Sequence, residues 1–149
     1  REHPIVHAIR RWFGGLPPGT ARLSEEVFEY EHVIRMIPTN PKACPVELRV
    51  SNYGTFGLHL GKGFAFEDIP SSIDLVLDIC ESIREGRVSE QVREWRGKVV
   101  GTRGVVELSS GSLRDRGSTH WAALLPVGAN RQIQYEPWST TVTEGNVML

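Results

Sequence analysis

Apolar residues at Ile5, Ile9, Trp12 and Phe13 recur at helical spacing while Arg10 and Arg11 face away, so residues 4–13 read as a short amphipathic helix. Gly14-Gly15 stops it and Pro17-Pro18-Gly19 prevents a restart. From Glu26 the period falls to two. Phe28, Tyr30, His32, Ile34 and Met36 share one face and Glu29, Glu31 and Arg35 the other, which predicts one long strand over 26–37, ended by Pro38-Thr39-Asn40-Pro41. Val46, Leu48 and Val50 then alternate with Glu47, Arg49 and Ser51, the cleanest half-buried strand in the chain. Asn52-Tyr53-Gly54 signals a turn into a strand that buries Phe56, Leu58 and Leu60, with Thr55, Gly57 and His59 opposite. Gly61-Lys62-Gly63 breaks that strand, and Phe64 with Phe66 adds a short extension. Turns this short favour an antiparallel meander, because parallel strands need long crossovers.

The strongest helix follows, with Ser71 as its N-cap, Asp74 three residues on, and a buried stripe of Val76, Ile79, Cys80 and Ile83 that Gly86 terminates. Ser89 is read as the cap of a second short helix burying Val92 and Trp95 before Gly97. Val99-Val100 and residues 105–108 flank Gly101-Thr102-Arg103-Gly104, which is either a hairpin turn or a kink in one strand. Residues 109–118 form a polar loop. Residues 121–125 and 132–138 form a last hairpin turning at Gly128-Ala129-Asn130. The pattern weakens beyond Ser139, which predicts a loose tail over 139–149. The whole reads as a single α+β domain over 1–149, a mainly antiparallel sheet of about five to seven strands with two or three helices packed on one face.

Composition narrows the function classes. A chain of 149 residues buries one core without disulfide or metal staples, and 40% hydrophobic with 23% charged residues is ordinary globular composition. Seventeen basic against eighteen acidic residues leave a net charge of -1, without the basic field of a dedicated nucleic-acid binder. The densest apolar stretch, 73–83, is interrupted by Asp74, Asp78 and Glu81 and falls well short of the roughly 20 residues of a membrane helix. Cys44 and Cys80 form no CxxC pair, which favours a reduced cytoplasmic chain. The start at Arg1, without Met or a signal-like segment, is read as a trimmed N-terminus.

Several constellations bear on chemistry. Gly57-Leu58-His59-Leu60-Gly61-Lys62-Gly63 fails as a phosphate loop, having one spacer too few and Gly63 where the magnesium-binding hydroxyl belongs. His3 and His7 lie four apart on the first helix, spacing suited to one metal, but no third ligand is identifiable and no cofactor is expected. His32, His59 and His120 fall in strands; His59 and His120 are the candidates for a general base, with a strand carboxylate as orienting partner. Arg114 and Arg116, set among small hydroxyl residues, are candidates for holding an anion. Trp121 and Trp138, near the polar loop and the tail, are candidates for a partly exposed partner contact.

Two function classes survive. The favoured one is a small non-enzymatic protein-binding module using its sheet face and loops, comparable only in size and architecture to immunity or adaptor domains. The other is an enzyme or small-ligand domain with a pocket between sheet and helices, where His59 or His120 works with a carboxylate and Arg114 or Arg116. Geometry separates them: the enzyme requires a histidine, a carboxylate and an arginine converging in a concave site, the module an exposed patch with an aromatic centre. The sequence leaves the oligomeric state open.

Overall fold

The structure, a computed structural model, describes residues 3–114 and 129–139. Helix α1 (Pro4–Gly14) starts on a proline, whose missing N–H costs nothing in a first turn, and buries Ile5, Val6 and Ile9. Its N-cap is His3, whose Nδ1 accepts the Ile5 N–H at 3.0 Å. Strands β1 (Ala21–Val27), β2 (Glu31–Pro38), β3 (Val46–Ser51), β4 (Thr55–Leu60) and β5 (Phe64–Pro70) pair in chain order as a five-stranded antiparallel meander. Short turns permit no other pairing of neighbours.

The long strand expected over 26–37 is two strands. Between β1 and β2 the chain reverses, and the Phe28 N–H donates to the Glu31 carbonyl at 2.8 Å. Phe28 and Tyr30 keep the alternation going through the turn, which is why periodicity alone runs past it. The predicted β3 and β4 are found with Val46, Leu48, Val50, Phe56, Leu58 and Leu60 all buried. The expected short extension at Phe64 and Phe66 is a full strand.

Helix α2 (Ile73–Arg84) is capped by Ser72 rather than Ser71, its side chain accepting the Leu75 N–H at 3.3 Å. The predicted stripe of Val76, Ile79, Cys80 and Ile83 is buried. Where a second helix was expected from Ser89, the chain forms β6 (Val88–Trp95), turns through Arg96-Gly97 and returns as β7 (Lys98–Glu107). Both turn residues have positive φ, 55° and 76°, the tight hairpin geometry that matches strand twist. Gly101-Thr102-Arg103-Gly104 is therefore not a hairpin turn: of the two alternatives the single strand holds, since the stretch lies inside β7, with the register against β6 shifting between Arg93 and Glu94 beside Gly101. With β8 (Ser112–Arg114) and β9 (Ala129–Gln134) these strands form a second antiparallel sheet, ordered β8-β7-β6-β9. Ala129 and Asn130, expected in a turn, belong to β9, while the expected strand at 121–125 and the expected tail beyond Ser139 lie outside the described residues.

The class is thus α+β with antiparallel sheet, as the sequence predicts, but the described residues divide nine strands between two sheets and hold two helices. One core cluster draws on α1, α2 and both sheets. The sheets meet where Phe64 of β5 lies on Gly104 of β7, and any Cβ at Gly104 would overlap the Phe64 ring. No helix among the described residues is long and apolar enough to cross a membrane.

Candidate functional site

The meander places its β1–β2 and β3–β4 turns side by side at one end of the first sheet. Asn52 ties them together: its N–H donates to the Tyr30 carbonyl at 3.1 Å and its side-chain amide to the Glu29 carbonyl at 3.2 Å. The two turns carry Val27, Phe28, Tyr30 and Tyr53, exposed at 73%, 47%, 56% and 74%. Tyr30 and Tyr53 stack on one another, ring centroids 6.1 Å apart and planes 29° apart. Apolar side chains of this size ordinarily enter the core, so four exposed ones on or beside two hydrogen-bonded turns make this end of the sheet a candidate site. Sequence reasoning placed Phe28 and Tyr30 on one face of a long strand with His32, Ile34 and Met36, and Tyr53 in a plain turn, and so passed over the patch.

A histidine, a carboxylate and an arginine do converge, but not the predicted ones. Arg10 of α1 grips Glu25 of β1 with Nε at 2.9 Å and Nη2 at 2.6 Å, and His32 of β2 sets Nε2 2.6 Å from the same Glu25 Oε1. The Arg10 hydrogen bonds hold the Glu25 carboxyl below its ordinary 4.5, with burial opposing and His32 adding to the effect. This cluster clamps α1 onto the sheet and spends both Glu25 oxygens on internal partners. A lowered carboxyl stabilises the fold above pH 4.5 and loses that contribution as pH falls through its folded-state value. Glu25→Gln is therefore expected to lower stability by about 0.5–1 kcal/mol at neutral pH. The deficit should vanish in acid, as read from urea midpoints across the pH range; a deficit that persists there would mean the clamp is not ionic.

His59 stands on the outer face of the first sheet, 44% exposed, with Nε2 3.3 Å from Glu67. Beside it runs a ladder in which Arg35 bridges Glu26 and Glu47, and Arg49 bridges Glu47 and Glu31. At Glu47 burial, which raises its pKa, is outweighed by Arg35 and Arg49, and the net shift is downward. The ladder roofs over Val33, fully buried on an otherwise open face. Each of its two arginines and three glutamates already has a partner, so the ladder offers His59 no unpaired charge.

The remaining candidates scatter. Arg114 is exposed at the end of β8, whereas Arg116, His120 and Trp121 lie outside the described residues. Trp138, expected to be partly exposed, is 2% exposed: its Nε1 donates to the Cys44 carbonyl at 3.0 Å and its ring meets Trp12 edge-on at 5.9 Å. His3 spends Nδ1 on its helix cap, and no group of three metal-ligating side chains occurs among the described residues. Burial pushes both thiols, Cys44 and Cys80, up to about 12, which removes them as nucleophiles.

Two clefts open along the helices. One, of about 670 Å³, is lined by Pro4, His7, Ala8, Arg11, Trp12, Ile73 and Leu77. The other, of about 700 Å³, runs from Trp12 and Leu77 past Asp78 and Glu81 to Arg87 and Ser109. Asp78 there accepts from the Ser109 N–H and from both serine hydroxyls of Ser109 and Ser110, which fastens the turn after β7 to α2. Among the described residues no strand residue, and so no strand histidine, lines either cleft. No family model, no curated protein and no solved structure matches the chain.

Proposed function

We propose that this chain is a protein-binding module whose contact surface is the aromatic tip formed by Val27, Phe28, Tyr30 and Tyr53. The observation that carries the reading is the exposure of these four side chains together on two mutually hydrogen-bonded turns. A rigid mount matters because ordering a floppy loop on association would consume binding energy. Tyrosine and phenylalanine supply large contact area with few rotatable bonds, the profile of interface anchors that fill apolar pockets on a partner. The enzyme alternative has less behind it: among the described residues the convergent histidine, carboxylate and arginine form a closed clamp, and His59 faces a paired ladder.

The test compares proteins retained from source-organism lysate by the wild-type chain and by Tyr30→Ser/Tyr53→Ser, with His59→Ala as a second bait. Removing two anchors is expected to weaken retention of the specific partner by about 10- to 100-fold, with the fold intact by circular dichroism. His59→Ala should retain it fully. A partner held equally by the tip variant and the wild type overturns the reading. Loss with His59→Ala alone moves the contact to the outer sheet face.

A further inference from the structure

We infer that β1 is a self-pairing edge, and that two copies of this chain join through it in antiparallel register centred on Ser24. β1 is the first strand of its sheet, and among the described residues nothing pairs with its other side. Which backbone groups face that side follows from the ladder. Phe28 donates to Glu31 and Thr39 donates to the Thr20 carbonyl, and both pairs lie in the β1–β2 register. Hydrogen-bonded pairs alternate along an antiparallel ladder, so Arg22, Ser24 and Glu26 bond to β2. Ala21, Leu23, Glu25 and Val27 therefore direct their N–H and C=O groups outwards.

A twofold axis at Ser24 pairs each of those four residues with another of them: Leu23 with Glu25 of the second copy and Ala21 with its Val27. All the outward groups are satisfied in one register. In that same register Arg22 comes opposite Glu26 of the second copy on the outer face, twice by symmetry. The strand's charges are thus self-complementary, as an isologous interface requires. Arg22 is exposed and has no ionic partner among the described residues, whereas Glu26 holds only Arg35. Val27, 73% exposed, gains cover from Ala21 across the seam.

The contrast with the opposite edge supports the assignment. β5 is blunted by a register shift against β4, by Asp68 at φ 56° and by a terminal Pro70, and it lies against β7 through Phe64. β1 has none of these devices. Its one inward-facing charge, Glu25, could guard an edge, but Arg10 neutralises it within the chain.

Sedimentation equilibrium tests the pairing with two charge reversals. The wild-type chain is expected to dimerise. Arg22→Glu and Glu26→Arg each set like charges opposite one another twice and should raise the dimer dissociation constant at least about tenfold. Mixed in equal amounts, the two variants should recover dimer, because each opposed pair in the mixed dimer is again Arg against Glu. A monomeric wild type, a dimer indifferent to either variant, or a mixture that stays monomeric overturns the inference. Phe28, Tyr30 and Tyr53 take no part in this readout, and Val27, which the tip shares with the seam, is unchanged in both variants, so the outcome is independent of the proposed binding function.

Discussion

Replacing Trp138 with alanine is expected to lower the unfolding free energy by about 3–5 kcal/mol. Domains of this kind are held by only about 5–15 kcal/mol in total, so at least about a fifth of the stability would go. The size follows from what the side chain does. Its ring is buried against Trp12 of α1 and its ring N–H closes on the Cys44 carbonyl, while the backbone N–H, which alanine keeps, donates to the Arg84 carbonyl at the end of α2 at 2.8 Å. One residue after β9 thus ties both helices to the loop ahead of β3. Trp138→Phe separates the contributions. It keeps most of the packing but leaves the buried Cys44 carbonyl without its donor, for a loss of about 1–2 kcal/mol. Urea unfolding of the wild type and both variants decides the matter. If alanine costs no more than a surface substitution, Trp138 is a contact residue and not a core one.

That tryptophan also shows why part of the architecture was hidden in the sequence. Where burial is set by neighbours along the same strand or helix, the pattern was readable: Val46, Leu48 and Val50, or Val76, Ile79, Cys80 and Ile83, are buried as their spacing implies. Trp138 is buried by a carbonyl 94 residues away, and no local period encodes that. β6 was missed for a related reason. Val88, Glu90 and Val92 alternate on its buried face, but a glutamate at an inward position broke the apparent period, and Val92 with Trp95 then mimicked a helical stripe. The aromatic tip failed in the opposite direction. Apolar residues continued a strand-like alternation through a turn without glycine or proline, so exposed Phe28 and Tyr30 read as one face of a strand. The Arg10–Glu25–His32 clamp joins a helix to two strands, and only the packing of α1 on the meander reveals it.

Glu90 is also the position where a single polar substitution should cost most. Its Oε1 accepts the Tyr135 hydroxyl at 2.6 Å and the Lys62 N–H at 3.0 Å, so one carboxyl joins β6, the β4–β5 turn and the segment after β9. The residue is 1% exposed, and the site has no room to spare: a Cβ on Gly61 would collide with both Glu90 Oε1 and the Tyr135 hydroxyl. Burial first, and Glu90 next, push the Tyr135 phenol well above its ordinary range, which keeps it a donor at any working pH. Glu90→Leu fills the space yet strands the buried Tyr135 hydroxyl, worth about 1–3 kcal/mol when left unpaired, and takes the acceptor from the part-buried Lys62 N–H, worth about 1 kcal/mol, for an expected loss of about 2–4 kcal/mol. Glu90→Gln preserves the oxygen both donors use. The atom it changes, Oε2, has no partner among the described residues, so its cost should stay below about 1.5 kcal/mol. Tyr135→Phe removes one stranded donor and should return about 1–2 kcal/mol when added to Glu90→Leu, although alone it destabilises. This reversal of sign is the discriminating result. If Tyr135→Phe costs the same in both backgrounds, the hydroxyl and the carboxyl are not coupled, and Glu90 does not hold this junction through Tyr135.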